Sequence, residues 1–138
     1  MTLEAGIVPI SATERIWPGL TEAAFRASPR GAGAKAYVRN DPYRSYVLKP
    51  VSFEGREWIA VVFFTEGRLM QASLSRITDR TWLTIDPEYE QRWTAALRAE
   101  IETRLQRPLP AEFPWGSVAV GYNQHTVSGE LIFSYAER

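Results

Sequence analysis

The sequence predicts an α+β domain: an antiparallel sheet of about five strands with a long helix packed on one face, in the order α-β-β-β-α-β-β. Three stretches predict it. Residues 57–75 are the one long run of β-branched and aromatic residues, and the run is broken at Glu66-Gly67, where a hairpin turn fits. Residues 86–108 open on Asp-Pro-Glu, repeat an apolar residue every four positions and stop at Pro108. Residues 117–123 and 130–136 flank a polar loop, with Val118, Val120 and Tyr122 alternating with Ser117, Ala119 and Gly121 in the first, and Leu131, Phe133 and Tyr135 alternating with Ile132, Ser134 and Ala136 in the second.

The elements follow in order. Residues 1–10 read as an irregular lead-in. Ser11 and Glu14 have capping-box spacing, but Pro18-Gly19 limits any helix there to one or two turns. Thr21 is the better N-cap. It opens a helix over 22–28, with Leu20 and Phe25 as a staple pair and Pro29 as the stop. Residues 29–42 are punctuated by Pro29, Gly31, Gly33 and Pro42 and read as loop.

Tyr43–Phe53 reads as a strand that turns at Glu54-Gly55 into a second strand over 56–64. With two-residue loops at both turns, Phe63 faces Met70, Val61 faces Ala72 and Ile59 faces Leu74. On the other side Tyr46 faces Phe63, Leu48 faces Val61 and Pro50 faces Ile59. Opposed residues share a face. One apolar face is then Tyr46, Leu48, Ile59, Val61, Phe63, Met70, Ala72 and Leu74. Pro50 cannot donate to a ladder, which puts its strand at an edge or distorts it there.

Residues 76–85 lead to the main helix, with a short strand over 81–85. Asp86 is an N-cap followed by Pro87 and Glu88, and Tyr89, Trp93, Leu97, Ile101 and Leu105 form one stripe. About 20 residues at 1.5 Å each give roughly 30 Å, enough to cross a sheet. The face containing Val61 and Phe63 is its predicted seat. A Pro-rich connection over 108–114 leads to the last hairpin, with Val118, Val120 and Tyr122 on one side of its first strand and Leu131, Phe133 and Tyr135 on one side of its second.

The length of 138 residues suits a single domain over 1–138. With 45% hydrophobic and 23% charged residues the chain is globular in composition. Its 16 basic and 16 acidic residues balance, so no strongly basic footprint for nucleic acid is present. The absence of cysteine excludes disulfides, thiolate nucleophiles and cysteine metal sites, and fits a reducing compartment. No run of 18 apolar residues exists and residues 1–10 lack signal-peptide features, so a cytoplasmic protein without a membrane span is expected.

Residues that carry chemistry are sparse. His125 stands alone in a polar loop with Asn123, Gln124 and Thr126, and no G-x-S-x-G or cysteine accompanies it, so it reads as an exposed loop residue. Gly31-Ala-Gly33-Ala-Lys35 lacks the G-x-x-x-x-G-K-[ST] pattern and reads as a flexible turn. Asp41, Glu57, Asp79 and Asp86 are the carboxylates on hand for carboxylate-only catalysis, but their spacing does not group them, and Asp86 is a cap. Without a basic stripe beside them, the 5 Trp, 6 Tyr and 6 Phe read as core. No cofactor and no metal are expected.

The surface with functional content is the second sheet face: Val47, Val51, Trp58, Val62, Phe64 and Leu69, interrupted by Lys49, Gln71, Ser73 and Ser75. Left uncovered, such a face marks association with a protein partner or with a second copy of the chain. An equal reading is that the N-terminal segment, with Ile16, Trp17 and Leu20, covers it.

Phe64-Thr-Glu-Gly67-Arg-Leu69, Trp82, Phe113-Pro-Trp115-Gly116-Ser-Val118 and Ile132-Phe-Ser-Tyr135 form a pattern over roughly residues 43–136. It resembles that of small uncharacterised bacterial proteins of about this length. The resemblance rests on structural residues and implies a partner-binding or immunity-like role. The element order also looks like that of type III secretion chaperones; those are typically acidic and end in a further helix, whereas this neutral chain ends on a strand. The sequence therefore reads as a non-enzymatic protein-binding module, immunity- or adaptor-like. The alternative is a small-molecule binder or enzyme with an aromatic pocket between sheet and helix, near Trp82, Trp93 and Trp115.

Overall fold

In the computed structural model, which describes residues 2–77, 86–123 and 128–136, the chain opens with short elements. These are helix α1 (Thr2–Ala5), the strand pair β1 (Val8–Pro9) and β2 (Arg15–Ile16), and helices α2 (Glu22–Ala27) and α3 (Pro29–Ala32). A meander of four strands follows: β3 (Lys35–Asn40), β4 (Tyr43–Phe53), β5 (Arg56–Thr65) and β6 (Arg68–Arg76). The long helix α4 (Pro87–Leu105) leads to a second meander, β7 (Ala111–Phe113), β8 (Gly116–Asn123) and β9 (Ser128–Tyr135). Pairing of β6 with β9 joins the two into one seven-stranded antiparallel sheet, ordered β3-β4-β5-β6-β9-β8-β7.

The α+β class and the antiparallel sheet agree with the sequence reading; the count of five strands does not. The two added strands are the edges, β3 and β7, from segments expected to be loop. All six residues of β3 are exposed, so it carries no buried alternation for a pattern to reveal. The short strand expected over 81–85 lies outside the described residues.

Local chemistry sets the helix ends. Thr21 Oγ1 accepts from Ala24 N, and Asp86 Oδ1 accepts from Glu88 N and Tyr89 N with Pro87 at the first helical position. Ser11 and Glu14 do bond as a box: Ser11 Oγ accepts from Glu14 N at 3.1 Å and donates to Glu14 Oε2 at 2.6 Å. They close the β1–β2 connection, where Ile10 N donates to Glu14 O, and not a helix. The Ser11 hydroxyl, followed by the Arg30 backbone N–H, holds the Glu14 carboxyl below its usual range. A carboxyl with a depressed folded pKa adds stability above its unfolded pKa and loses it as pH falls through the folded one. Ser11→Ala should therefore move the Glu14 titration upward; an unmoved NMR titration curve would contradict the role given to Ser11.

Both predicted hairpin turns form. Glu54-Gly55 has φ of 53° and 76°, and Glu66-Gly67 has 52° and 77°, the paired positive angles of a tight two-residue hairpin. Next to the turns the register is the expected one, with Phe53 opposite Arg56, Val51 opposite Trp58 and Thr65 opposite Arg68. Each hairpin then takes in an extra residue. Between Leu48 and Val51 the register shifts, so Leu48 pairs with Ala60 and Tyr46 with Val62. At Met70 it shifts again, so Phe63 pairs with Gln71, Val62 with Ala72 and Ala60 with Leu74.

A one-residue slip sends every later side chain to the other face. The core face is therefore Tyr46, Leu48, Val51, Trp58, Ala60, Val62, Phe64, Leu69, Ala72 and Leu74, all buried. The assignment of Ile59, Val61, Phe63 and Met70 to the seat of the helix is corrected accordingly. The bulged register also separates β6 more cleanly, leaving Gln71, Ser73 and Ser75 on the opposite face. Pro50 does distort its strand, but β4 is not an edge, because β3 pairs beyond it.

One layer covers the core face, and two parts of the chain supply it. α4 lies over β8 and β9, where Leu97, Ile101 and Leu105 join Val118, Val120, Leu131 and Phe133 in the core. Trp93 reaches back to Trp58, with ring centroids 6.2 Å apart. The N-terminal segment covers the rest. Phe25 packs on Tyr46 and Phe64 at 5.5 and 5.4 Å, and Val8, Ile16 and Leu20 are buried. At the far end Trp115 Nε1 donates to Glu4 O at 2.7 Å, and Tyr135 OH donates to Gly6 O at 2.8 Å. Gly6 has φ of 69°, and a Cβ there would sit 2.7 Å from the Trp115 ring, so the approach requires glycine.

Candidate functional site

A sheet covered on one side exposes the other. Across the middle of that open face, Val47, Val61, Ser73, Ile132 and Ala119 pair in one transverse row. The next row is Ser45, Phe63, Gln71, Ser134 and Ser117, and on the other side run Ile59, Ser75, Glu130 and Gly121. Ser45 and Ser73 are buried by their neighbours; the others are half-buried. No described element lies over them. On these five strands the charged side chain in the rows is Glu130, which accepts from Asn123 Nδ2 at 3.3 Å, and Lys35 on β3 extends the first row opposite Val47. Near the β3 end, Phe63, Gln71 and Ser134 floor a shallow hollow of about 550 Å³ that Val38 and Tyr43 wall.

The residues that the sequence assigned to an interface fall elsewhere. Val51, Trp58, Val62, Phe64 and Leu69 are 0%, 1%, 0%, 1% and 6% exposed, so a partner reaches none of them in the folded chain. Val47 alone stands on the open face. The cause is the pair of bulges described above, which exchange the two faces. The competing reading holds in part: Ile16 and Leu20 do cover this face, together with Phe25 and α4, while Trp17 stays 46% exposed. The large apolar residues that stand on the open face beside Val47 are Ile59, Val61, Phe63 and Ile132.

The remaining sequence candidates do not assemble. His125, Asp79 and Trp82 lie outside the described residues. Asp41 pairs with Arg44 at 2.9 Å, Asp86 caps α4 and Glu57 is exposed on β5, so these three carboxylates sit on separate elements. Gly31 lies in α3, where a Cβ would fall 1.6 Å from Phe25 O, and Lys35 begins β3, so the segment is not a flexible turn. Among the described residues, no three His, Asp or Glu groups gather in a way that could hold a metal ion. No described helix is long and apolar enough to cross a membrane.

Trp93 and Trp115, named for the expected aromatic pocket between sheet and helix, do not share one site. Trp93 packs on Trp58 under α4, whereas Trp115 stacks on Phe113 at 5.4 Å in the β7–β8 turn. Trp115 lines a crevice of about 230 Å³ with Pro18, Leu20, Leu69, Met70 and Tyr135, between the sheet and the N-terminal segment. Burial pushes the Tyr135 phenol well above its usual pKa, so it is a neutral donor to Gly6 O.

No protein-family model matches this chain, and no curated protein or solved structure matches it. Neither sequence resemblance gains support from these comparisons.

Proposed function

We propose that the chain is a non-enzymatic interaction module whose contact surface is the open sheet face, and that the face seats a second copy of the chain. The observation that carries this reading is the half-buried apolar set of Val47, Ile59, Val61, Phe63 and Ile132, over which no described element lies.

Charge supports self-association. A two-fold axis sets the same patch against itself, so any charge cluster would repel its own copy. On the five inner strands Glu130 is the one charge in the three rows, Lys35 at the β3 edge extends the Val47 row with the opposite sign, and the chain as a whole has a formal net charge of +0. The hydroxyls of the half-buried Ser75, Ser117 and Ser134 donate or accept as the opposed face requires. An immunity- or adaptor-like role, in which a different protein occupies the face, rests on the sequence resemblance alone.

Sedimentation equilibrium tests the reading. The wild-type chain should be dimeric at micromolar concentration. Val61→Asp and Ile132→Asp should each be monomeric, with a cooperative unfolding transition as the control for folding and a urea midpoint lowered and no longer dependent on protein concentration, because the stabilisation from association is lost. A wild-type chain that stays monomeric at high micromolar concentration sinks the proposal. If such a monomer binds a different protein and Val61→Asp abolishes that binding, the face is an interface for that protein instead.

A further inference from the structure

We infer that the cavity where α3 meets the start of β3 binds a dianionic oxyanion, a phosphoryl group either free or as a small monoester. The overall charge balance hides a local excess. Between residues 23 and 53 the chain carries Arg26, Arg30, Lys35, Arg39, Arg44 and Lys49 against Asp41 alone, a net charge of +5 in a chain whose total is +0. The fold gathers this segment at the β3 end of the sheet. Lys35 and Lys49, the two lysines of the chain, line one cavity of about 400 Å³ together with Arg30, Pro29, Gly33, Leu48 and Val47, the last at the margin of the open sheet face. No acidic side chain lines it.

The three cations are arranged to be met by an anion. Arg30 is fixed, because its Nη2 donates to Pro50 O at 2.7 Å. Glu14, outside the cavity lining, accepts from the backbone N–H of Arg30 at 2.8 Å and attracts its guanidinium, so Arg30 is partly offset and Lys35 and Lys49 carry the uncompensated charge of the cavity. Three like charges facing one space repel one another, and an entering dianion relieves that repulsion. A planar guanidinium gives a fixed fork, and two lysines on flexible stems supply point charges that close around the remaining oxygens. Blunting of an edge strand explains a cation on β3, but not Lys49, which sits on β4 inside the sheet.

A second cationic cavity, about 480 Å³ between α2 and the β3–β4 hairpin, differs in kind. It is lined by Arg26, Arg39 and Arg44, but also by Glu22. Glu22 Oε2 accepts from Tyr46 OH at 2.5 Å and lies 3.7 Å from Arg44, so that cavity contains its own counter-ion. The lysine cavity has no aromatic lining, which favours a phosphoryl group over a single-stranded nucleic acid held by base stacking.

The test is an amide NMR titration of the full chain with inorganic phosphate, phenyl phosphate and a short oligothymidylate. Saturable shifts at Gly33, Ala34, Lys35 and Lys49 are expected with the first two probes. Equal affinity for both assigns the site to free phosphate, and tighter binding of phenyl phosphate assigns it to a monoester. Lys35→Gln and Lys49→Gln should each weaken binding by about tenfold, the scale of one charge-assisted contact, while Arg92→Gln on α4 changes nothing. Both lysines are exposed, so the melting temperature of these variants serves as the control for folding. The inference is overturned by an absence of saturation at millimolar phosphate, by shifts centred on Arg39 and Arg44, by lysine variants that bind like wild type, or by oligothymidylate binding more tightly than either small probe.

Discussion

Trp58→Ala should lower the unfolding free energy by about 3–5 kcal/mol, the usual cost of truncating a large buried aromatic side chain. A domain of this size holds about 5–15 kcal/mol in all, so the variant stands near the edge of folding. Trp58 is 1% exposed, its indole Nε1 donates to Phe53 O at 2.8 Å, and its ring meets Trp93. Truncation opens a cavity and strips a buried carbonyl of its donor. Val61→Ala, three residues along the same strand but on the open face, should cost less than about 1 kcal/mol, because less apolar area leaves water there. The unbulged register predicts the reverse order. Chemical unfolding of the two variants decides between them. A Trp58→Ala chain as stable as wild type, beside a destabilised Val61→Ala chain, would overturn the assignment of the faces.

That contrast marks where the sequence stops being legible. Features set by a few adjacent residues read correctly: the Asp86-Pro87 cap, the Thr21 cap, both Glu-Gly turns, and β4 over Tyr43–Phe53. The alternation of Val118 and Val120, and of Leu131, Phe133 and Tyr135, also placed the last hairpin correctly, because the opposite positions there, Ile132 apart, are small or polar. β5 gave no such contrast. Its residues 58–64 are apolar on both faces, so the choice of inner face rested on register. Register then hung on two extra residues. Pro50 announced one of them, since it lacks a donor; nothing local announced Met70. Both registers segregate apolar side chains, and only packing under Phe25, Trp93 and the N-terminal segment selects between them.

The continuous apolar run in β5 has a second meaning. A strand that faces water on one side usually alternates, and one that does not has something apolar to meet on each face. The core accounts for Trp58, Ala60, Val62 and Phe64, which leaves Ile59, Val61 and Phe63 for the proposed contact. The Lys35–Lys49 cavity was illegible for a different reason. Whole-chain charge is zero, and only the β3–β4 hairpin, with Lys35 opposite Val47, brings the two lysines to one place.

Glu90→Ala should cost about 2–4 kcal/mol, and its effect should not add to that of Trp58→Ala. Glu90 is 2% exposed, and its Oε1 meets Arg76 Nη2 at 2.5 Å. The Arg76 guanidinium lies 4.9 Å over the Trp93 ring and 5.1 Å over Tyr89. Removing the carboxylate leaves a cation pressed against two aromatic rings without its acceptor. Breaking a fully buried pair costs about 3–5 kcal/mol; the lower figure here reflects the 21% exposure that the Arg76 side chain retains. Replacing both partners, as Arg76→Met with Glu90→Leu, should return most of the loss, because no charge is then left unpaired. Trp93 touches both Arg76 and Trp58, so the Trp58→Ala and Glu90→Ala double variant should depart from additivity by more than about 0.5 kcal/mol. A stable Glu90→Ala chain, or strict additivity, would contradict this linkage. The pair bolts the first turn of α4 to the last residue of β6. It thereby holds the helix on the Trp58 face, and that placement is what leaves the Val61 face open.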